Sequence, residues 1–199
     1  MLADFAAQQP QVAATFAEAS EALGYDLWQV VQHGPEEQLN STECTQPAML
    51  AAGVATLRVW RARGGAEPQI VAGHSLGEFT ALVAAGSLDF GVAVDLVRWR
   101  GRYMQEAVPA GEGAVAAVLG LDAGDIQAAC DEAAQGQVVE PVNFNAPGQI
   151  VVSGEKTKVE AAVVGAKARG MKKVIPLVVA GVVYLTVGPQ VQALDARTG

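Results

Sequence analysis

Histidine and cysteine are scarce in this 199-residue chain, with two of each. Cys44 and Cys130 lie far apart without a CxxC or CxxH pattern, so neither a disulfide framework nor a zinc site is indicated, and a reducing cytoplasm fits best. Basic residues are also few, 13 against 21 acidic ones for a net charge of −8, and apart from the short run Arg98 to Arg102 they are scattered. A non-specific nucleic-acid surface is therefore disfavoured. Long apolar runs are missing too. The longest, Ile175 to Leu185, is interrupted by Pro176 and Gly181, and Met1-Leu2-Ala3-Asp4-Phe5 has neither a basic region nor an apolar signal core, so nothing points to secretion or to a membrane span. Only 17% of residues are charged against 51% hydrophobic, which excludes intrinsic disorder and supplies a sizeable core. The length predicts one compact body with room for an inserted lobe.

Glycine, by contrast, is plentiful at 22 residues and promises many tight turns. Val12 to Leu23 reads as a helix stopped by Gly24, and Asp26 can cap a short second helix ending near Gly34. Pro47 can occupy the first turn of a longer helix running to about Arg63, stopped by Gly64-Gly65. Gln69-Ile70-Val71-Ala72 then reads as a short strand, Gly73 to Gly77 as a sharp turn, and Glu78 through Ala85 as a helix. Asp89 caps a further helix, with Phe90, Ala93, Val94 and Val97 at helical spacing and Arg98, Arg100 and Arg102 on later turns.

From Gly113 the pattern predicts a smaller unit of order βαββαβ. Its strands are Ala114 to Leu119, Val138 to Val142, Gln149 to Ser153 and Lys172 to Leu177; its helices are Asp122 to Ala134 and Lys156 to Ala168. Ile126, Ala129, Cys130, Ala133 and Val159, Ala162, Val163, Ala166 each recur at i, i+3, i+4, i+7, the spacing of a buried helix face. That order is the ferredoxin-like pattern. The tail after Leu177 reads as apolar strand, Gly188-Pro189 turn and a weak helix.

Gly73-His74-Ser75-Leu76-Gly77 is a G-x-S-x-G string placed between strand and helix patterns. Such a turn projects a serine hydroxyl while the glycines let neighbouring backbone pass, and the helix N-terminus favours a developing oxyanion. The plainer reading is that the glycines serve a turn and Ser75 caps the helix. A nucleophilic serine also needs a base within hydrogen-bond reach. The only histidines are His74, whose side chain should point away from its neighbour, and His33, which precedes a Gly-Pro loop. Cys44 and Cys130 read as packing residues.

Together with Glu78, this string resembles the nucleophile motif of the malonyl-CoA:acyl carrier protein transacylases of fatty acid synthesis. Thr45-Gln46-Pro47-Ala48, Arg100-Gly101-Arg102-Tyr103-Met104-Gln105-Glu106 and Pro141-Val142-Asn143-Phe144-Asn145-Ala146-Pro147-Gly148-Gln149 resemble that family's segments in the same order, over about residues 1 to 177. The resemblance implies an α/β fold: an α/β-hydrolase-like core with the nucleophile turn at 1–112, a ferredoxin-like subdomain at 113–177, a divergent segment at 178–199 returning to the core, and a site in the cleft between. It gives Ser75 the role of acylated nucleophile, Leu76 that of backbone oxyanion donor, and Arg100 that of holding the malonate carboxylate. Gln46 and His74 would line the pocket. Asn143 and Asn145, alternating on a strand, would contact coenzyme A or pantetheine, with Lys173 near its phosphates.

The implied reaction is ping-pong malonyl transfer through a malonyl-serine, from malonyl-CoA to the phosphopantetheine of acyl carrier protein, by a cytoplasmic monomer without metal or redox cofactor. The family's Gly-Gln-Gly-Ser-Gln loop and its Ser-His base segment have no counterpart here, since the chain reads Val178-Val179-Ala180-Gly181-Val182-Val183 and no histidine follows His74. The expectation is a severely impaired enzyme, with an internal stretch deleted or misread before Val187-Gly188-Pro189. The rival readings are a catalytically dead module that binds acyl carrier protein or coenzyme A, and a serine esterase or thioesterase; a polyketide acyltransferase domain is a close cousin.

Overall fold

A computed structural model describes residues 3–107, 112–177, 184–187 and 190–193. The fold is mixed α/β, and the chain divides into two compact units, Met1–Glu106 and Ala107–Gly199.

All regular structure described in the first unit is helical: α1 (Ala3–Gln8), α2 (Pro10–Leu23), α3 (Leu27–His33), α4 (Glu36–Asn40), α5 (Thr42–Ala62), α6 (Leu76–Ala84) and α7 (Phe90–Glu106). The boundaries have local causes. Pro10 opens α2, and Gly24 closes it at φ 77°, a left-handed conformation that suits glycine. Asp26 Oδ1 accepts from Gln29 N at 2.9 Å to cap α3, and Asp89 Oδ1 accepts from Val92 N at 3.1 Å beside the start of α7. The apolar faces of α2, α5 and α7 bury Val12, Phe16, Ala19, Leu50, Ala51, Val54, Ala93, Val94 and Val97 in one cluster.

Two expectations fail here. Pro47 lies inside α5 instead of in its first turn, because the helix begins earlier, at Thr42. Its opening turn is tied down by Thr45, whose hydroxyl donates to Leu39 O at 2.6 Å and to Ser41 O at 2.9 Å. Gln69 to Ala72 forms no strand. A strand needs a neighbour for its backbone groups, and the described residues of this unit include none; Ile70 is 88% exposed.

Helices α5 and α7 run antiparallel, with Gln46 beside Met104 near one end and the Arg58 guanidinium over the Phe90 ring at the other. Their close approach depends on Gly101, where a Cβ would lie 2.3 Å from Thr42 O and 2.9 Å from Glu43 Cα. Gly101→Ala is expected to push the helices apart and lower stability by about 1–3 kcal/mol, as overpacking of backbone against backbone does. A urea midpoint equal to that of the unmodified chain would contradict this.

The second unit has the order β1 (Gly113–Leu119), α8 (Ala123–Ala134), β2 (Val139–Ala146), β3 (Gln149–Glu155), α9 (Lys156–Ala168) and β4 (Lys173–Leu177). Its four strands form an antiparallel sheet in the order β2-β3-β1-β4. Alternate residues Ala116, Val118, Ile150 and Val152 meet Ile126, Ala129, Cys130, Val159, Ala162 and Ala166 in a core of their own. Asp122 caps α8 by accepting from Asp125 N. Glu155 caps α9, and the Thr157 hydroxyl, followed by the Thr157 N–H, holds its carboxyl below the usual range.

Beyond β4, β5 (Tyr184–Val187) pairs antiparallel with β6 (Gln190–Ala193). Gln190 to Ala193 is thus a strand where the weak helix was expected, its backbone groups being taken up by β5. Residues 178–183, 188–189 and 194–199, on which the rest of the tail reading falls, lie outside the described residues. No helix among the described residues is long and apolar enough to cross a membrane.

Candidate active site

The turn from Gly73 to Gly77 is tight. A Cβ on Gly73 would lie 1.9 Å from Gly77 O and 2.4 Å from Glu78 N, so only glycine fits. Gly77 N donates to His74 O at 2.9 Å and Glu78 N to Ser75 O at 3.2 Å, which closes the bend onto the first turn of α6. Ser75 sits at φ 54° and ψ −116°, a sparsely populated conformation for a residue with a Cβ. Strain of this kind costs about 1–3 kcal/mol and is found where a site requires it.

The Ser75 hydroxyl makes no capping bond to α6. The plainer reading of Ser75 as a helix cap therefore lacks its hydrogen bond. The hydroxyl instead accepts from Arg100 Nη2 at 2.9 Å. Arg100 Nη1 donates to Gln46 Oε1 at 2.7 Å, and Gln46, 5% exposed, donates from Nε2 to Met104 Sδ at 3.5 Å. Helices α5, α6 and α7 thus each supply part of one cluster: Gln46, the Ser75 turn, and Arg100 with Met104. The Gly101 crossing positions it, since it holds the α7 turn that carries Arg100 against the start of α5.

Leu76 is the first residue of α6, so its N–H belongs to the unpaired donors of the helix N-terminus, and it takes no acceptor among the described residues. A hydroxyl on a strained turn, a backbone N–H beside it and a guanidinium in contact can together bind and acylate: the oxygen attacks, the N–H stabilises an oxyanion, and the fork of donors holds an anionic group.

His74 is exposed and enters the turn through its backbone carbonyl, while His33 is exposed at the end of α3. Among the described residues no histidine or carboxylate hydrogen-bonds Ser75 Oγ, and none form a group of three or more suited to a metal ion. Cys44 and Cys130 are buried. Burial pushes the Cys44 thiol up, and burial followed by the Glu140 and Asp131 carboxylates pushes Cys130 up to about 11. Both favour the un-ionised form, the opposite of what a nucleophilic thiol needs.

Asn143, Asn145 and Lys173 lie in the second unit, Lys173 exposed on β4. The β2-β3 register shifts between Pro141 and Asn143 and again between Phe144 and Ala146, so regular alternation does not carry through the two asparagines. Met104 received no role from the sequence, although it lies one helical turn from Arg100. That i, i+4 spacing places the two on one face of α7 but does not mark Met104 as part of the site, since the link runs through Gln46.

The chain matches the family described as "Acyl transferase domain" over residues 1–184. It is 60% identical over 177 residues to a protein of Escherichia coli strain K12 named malonyl CoA-acyl carrier protein transacylase, covering 89% of this chain and 57% of that one. A crystal structure of an acyl carrier protein S-malonyltransferase from Vibrio cholerae superposes with a TM-score of 0.87 at 56% identity, covering 92% of this chain and 60% of that one. A structure described as a type II PKS acyl-carrier protein in complex with its malonyl-transacylase gives a TM-score of 0.88 at 57% identity, covering 92% and 59%. The chain therefore spans less than two thirds of the length of these relatives. By the extent of its match, it belongs to the acyl transferase domain family.

Proposed function

We propose that this chain carries the acyl-binding and nucleophilic part of a malonyl-CoA:acyl carrier protein malonyltransferase. The observation that carries the reading is the 2.9 Å contact between Arg100 Nη2 and Ser75 Oγ. In a malonyl-serine the free carboxylate lies only two carbon–carbon bonds beyond the acyl carbon, so a cation within reach of the nucleophile is within reach of that carboxylate. An acetyl group offers nothing for it to hold, and a long acyl chain would have to pass it.

Ser75 Oγ attacks the thioester carbonyl of malonyl-CoA, the Leu76 N–H donates to the oxyanion, and the C–S bond breaks as an Oγ–C ester forms. The serine proton ends on the coenzyme A thiol. The phosphopantetheine thiol of acyl carrier protein then attacks the ester, its sulfur takes the malonyl group and Oγ recovers a proton. Gln46 holds Arg100, and His74 lines the entrance. With no base against Oγ among the described residues, acylation by this chain is expected to be slow, since a positioned general base contributes about 10²- to 10⁴-fold.

We further infer that Asn143, Asn145 and Lys173 contact the coenzyme A or pantetheine arm, that residues 1–112 correspond to an α/β-hydrolase-like core, and that 113–177 form a ferredoxin-like subdomain. The antiparallel order β2-β3-β1-β4 with two helices on one face supports the last. The names of the relatives support the substrates, and the carrier-protein complex supports the acceptor.

The test is transfer from malonyl-CoA to acyl carrier protein bearing phosphopantetheine, with acetyl-CoA in parallel. Malonyl-carrier protein is expected to accumulate and acetyl-carrier protein to lag. Equal use of the two donors, or hydrolysis without transfer, would overturn the reading in favour of an esterase.

A further inference from the structure

We infer that Met104 is a positioning residue for Arg100, acting through the side-chain amide of Gln46. The inference rests on the reading of Arg100 as the carboxylate-binding group.

Gln46 is buried, and its amide has two chemically opposite ends, a carbonyl that only accepts and an NH₂ that only donates. Its two partners are opposite as well. A guanidinium only donates, and Arg100 Nη1 meets Gln46 Oε1 at 2.7 Å; a thioether only accepts, and Met104 Sδ faces Gln46 Nε2 at 3.5 Å. Turning the amide over would set NH₂ against guanidinium and carbonyl oxygen against sulfur, losing both bonds. Arg100 and Met104 stand one turn apart on α7, so a single amide reaching from α5 bridges them.

The guanidinium already selects the carbonyl end of the amide; the sulfur, a weaker acceptor, holds the NH₂ end and so keeps the Gln46 side chain from swinging away from that geometry. With the amide fixed, Nη1 is committed to Gln46 and Nη2 is left directed at Ser75 Oγ. Leucine at 104 keeps the bulk and removes the acceptor. The buried NH₂ then lacks a partner, the Gln46 side chain swings more freely about its own bonds, and Arg100 loses its fixed aim.

The experiment uses the full 199-residue chain and two readouts. In Met104→Leu the KM for malonyl-CoA in acylation of Ser75 is expected to rise about 5- to 10-fold, the worth of one buried hydrogen bond, with kcat and acetyl-CoA use within about twofold. In a Gln46→Glu background, where the side chain has no NH₂ for the sulfur to hold, the same change is expected to have less than about a twofold effect. Without any substrate, solvent exchange of the Gln46 side-chain NH₂, assigned by the loss of its NMR signals in Gln46→Glu, is expected to speed up about tenfold or more in Met104→Leu.

Unchanged exchange in Met104→Leu overturns the inference, whatever the kinetics. A KM rise that persists in the Gln46→Glu background also overturns it, since Met104 would then act as bulk alone. Failure of the unmodified chain to prefer malonyl-CoA over acetyl-CoA instead overturns the reading of Arg100, and the exchange measurement still decides whether Met104 directs the amide.

Discussion

Arg100→Ala is expected to slow malonyl transfer to Ser75 by roughly 10- to 150-fold, the range of about 1.5–3 kcal/mol that a hydrogen bond to a charged group supplies. Acetyl transfer should change by no more than about threefold, because no group on an acetyl ester meets the guanidinium and a change below about 0.7 kcal/mol is the scale of surface effects. The arginine is half-buried and held from one side by Gln46, so part of its ordering precedes substrate binding. Arg100→Lys should recover little, since an ammonium cannot bond Gln46 Oε1 and a carboxylate through one planar fork. Comparing acylation rates with malonyl-CoA and acetyl-CoA for the three proteins checks this. An Arg100→Ala chain that still prefers malonyl-CoA would remove the arginine from the account.

The second large effect is expected at Gly73. A methyl group there would collide with backbone atoms, 1.9 Å from Gly77 O and 2.0 Å from its carbonyl carbon, and no side-chain rotation relieves that contact. The bend must open, and Ser75 then leaves the strained conformation that sets its hydroxyl against Arg100. A misplacement on the order of 1 Å costs about 100-fold in rate. Gly73→Ala should therefore lose at least about 100-fold in Ser75 acylation while its helices remain, because Gly73, His74 and Ser75 are exposed and only the half-buried Leu76 of the turn packs against the core of the first unit. Circular dichroism and acylation kinetics on the same sample separate the two effects. Native acylation by Gly73→Ala would mean that the bend does not set the geometry.

Much of the fold was legible because its signals are local. Gly24 and Asp26 mark helix ends in sequence, and both act there in the structure. The βαββαβ order was readable because its helices carry apolar residues at helical spacing and its strands are short apolar runs bounded by glycine. What failed depended on distant partners. Gln69 to Ala72 has strand composition, but a strand exists only where another pairs with it. Proline, lacking an N–H, suits a helix start, but the hydrogen bonds of Thr45 that carry the helix back to Thr42 and leave Pro47 inside it make no mark in a one-dimensional pattern.

The site divides in the same way. Ser75 stood out through its flanking glycines, a property of five consecutive residues. Arg100 looked like any helix arginine beside Arg98 and Arg102, and only the family resemblance singled it out. Its neighbours are 54 and 25 residues away in sequence, brought together by the α5–α7 crossing at Gly101. Met104 is illegible in the sequence for the same reason: its role exists only once Gln46 lies between it and Arg100.

Incubation of the chain with malonyl-CoA followed by peptide mass mapping tests the role of the serine most directly. The malonyl group is expected on the peptide containing Ser75, absent from Ser75→Ala and much reduced in Arg100→Ala. A malonyl group on another residue, or an adduct that survives in Ser75→Ala, would contradict the assignment of this hydroxyl as the acyl acceptor.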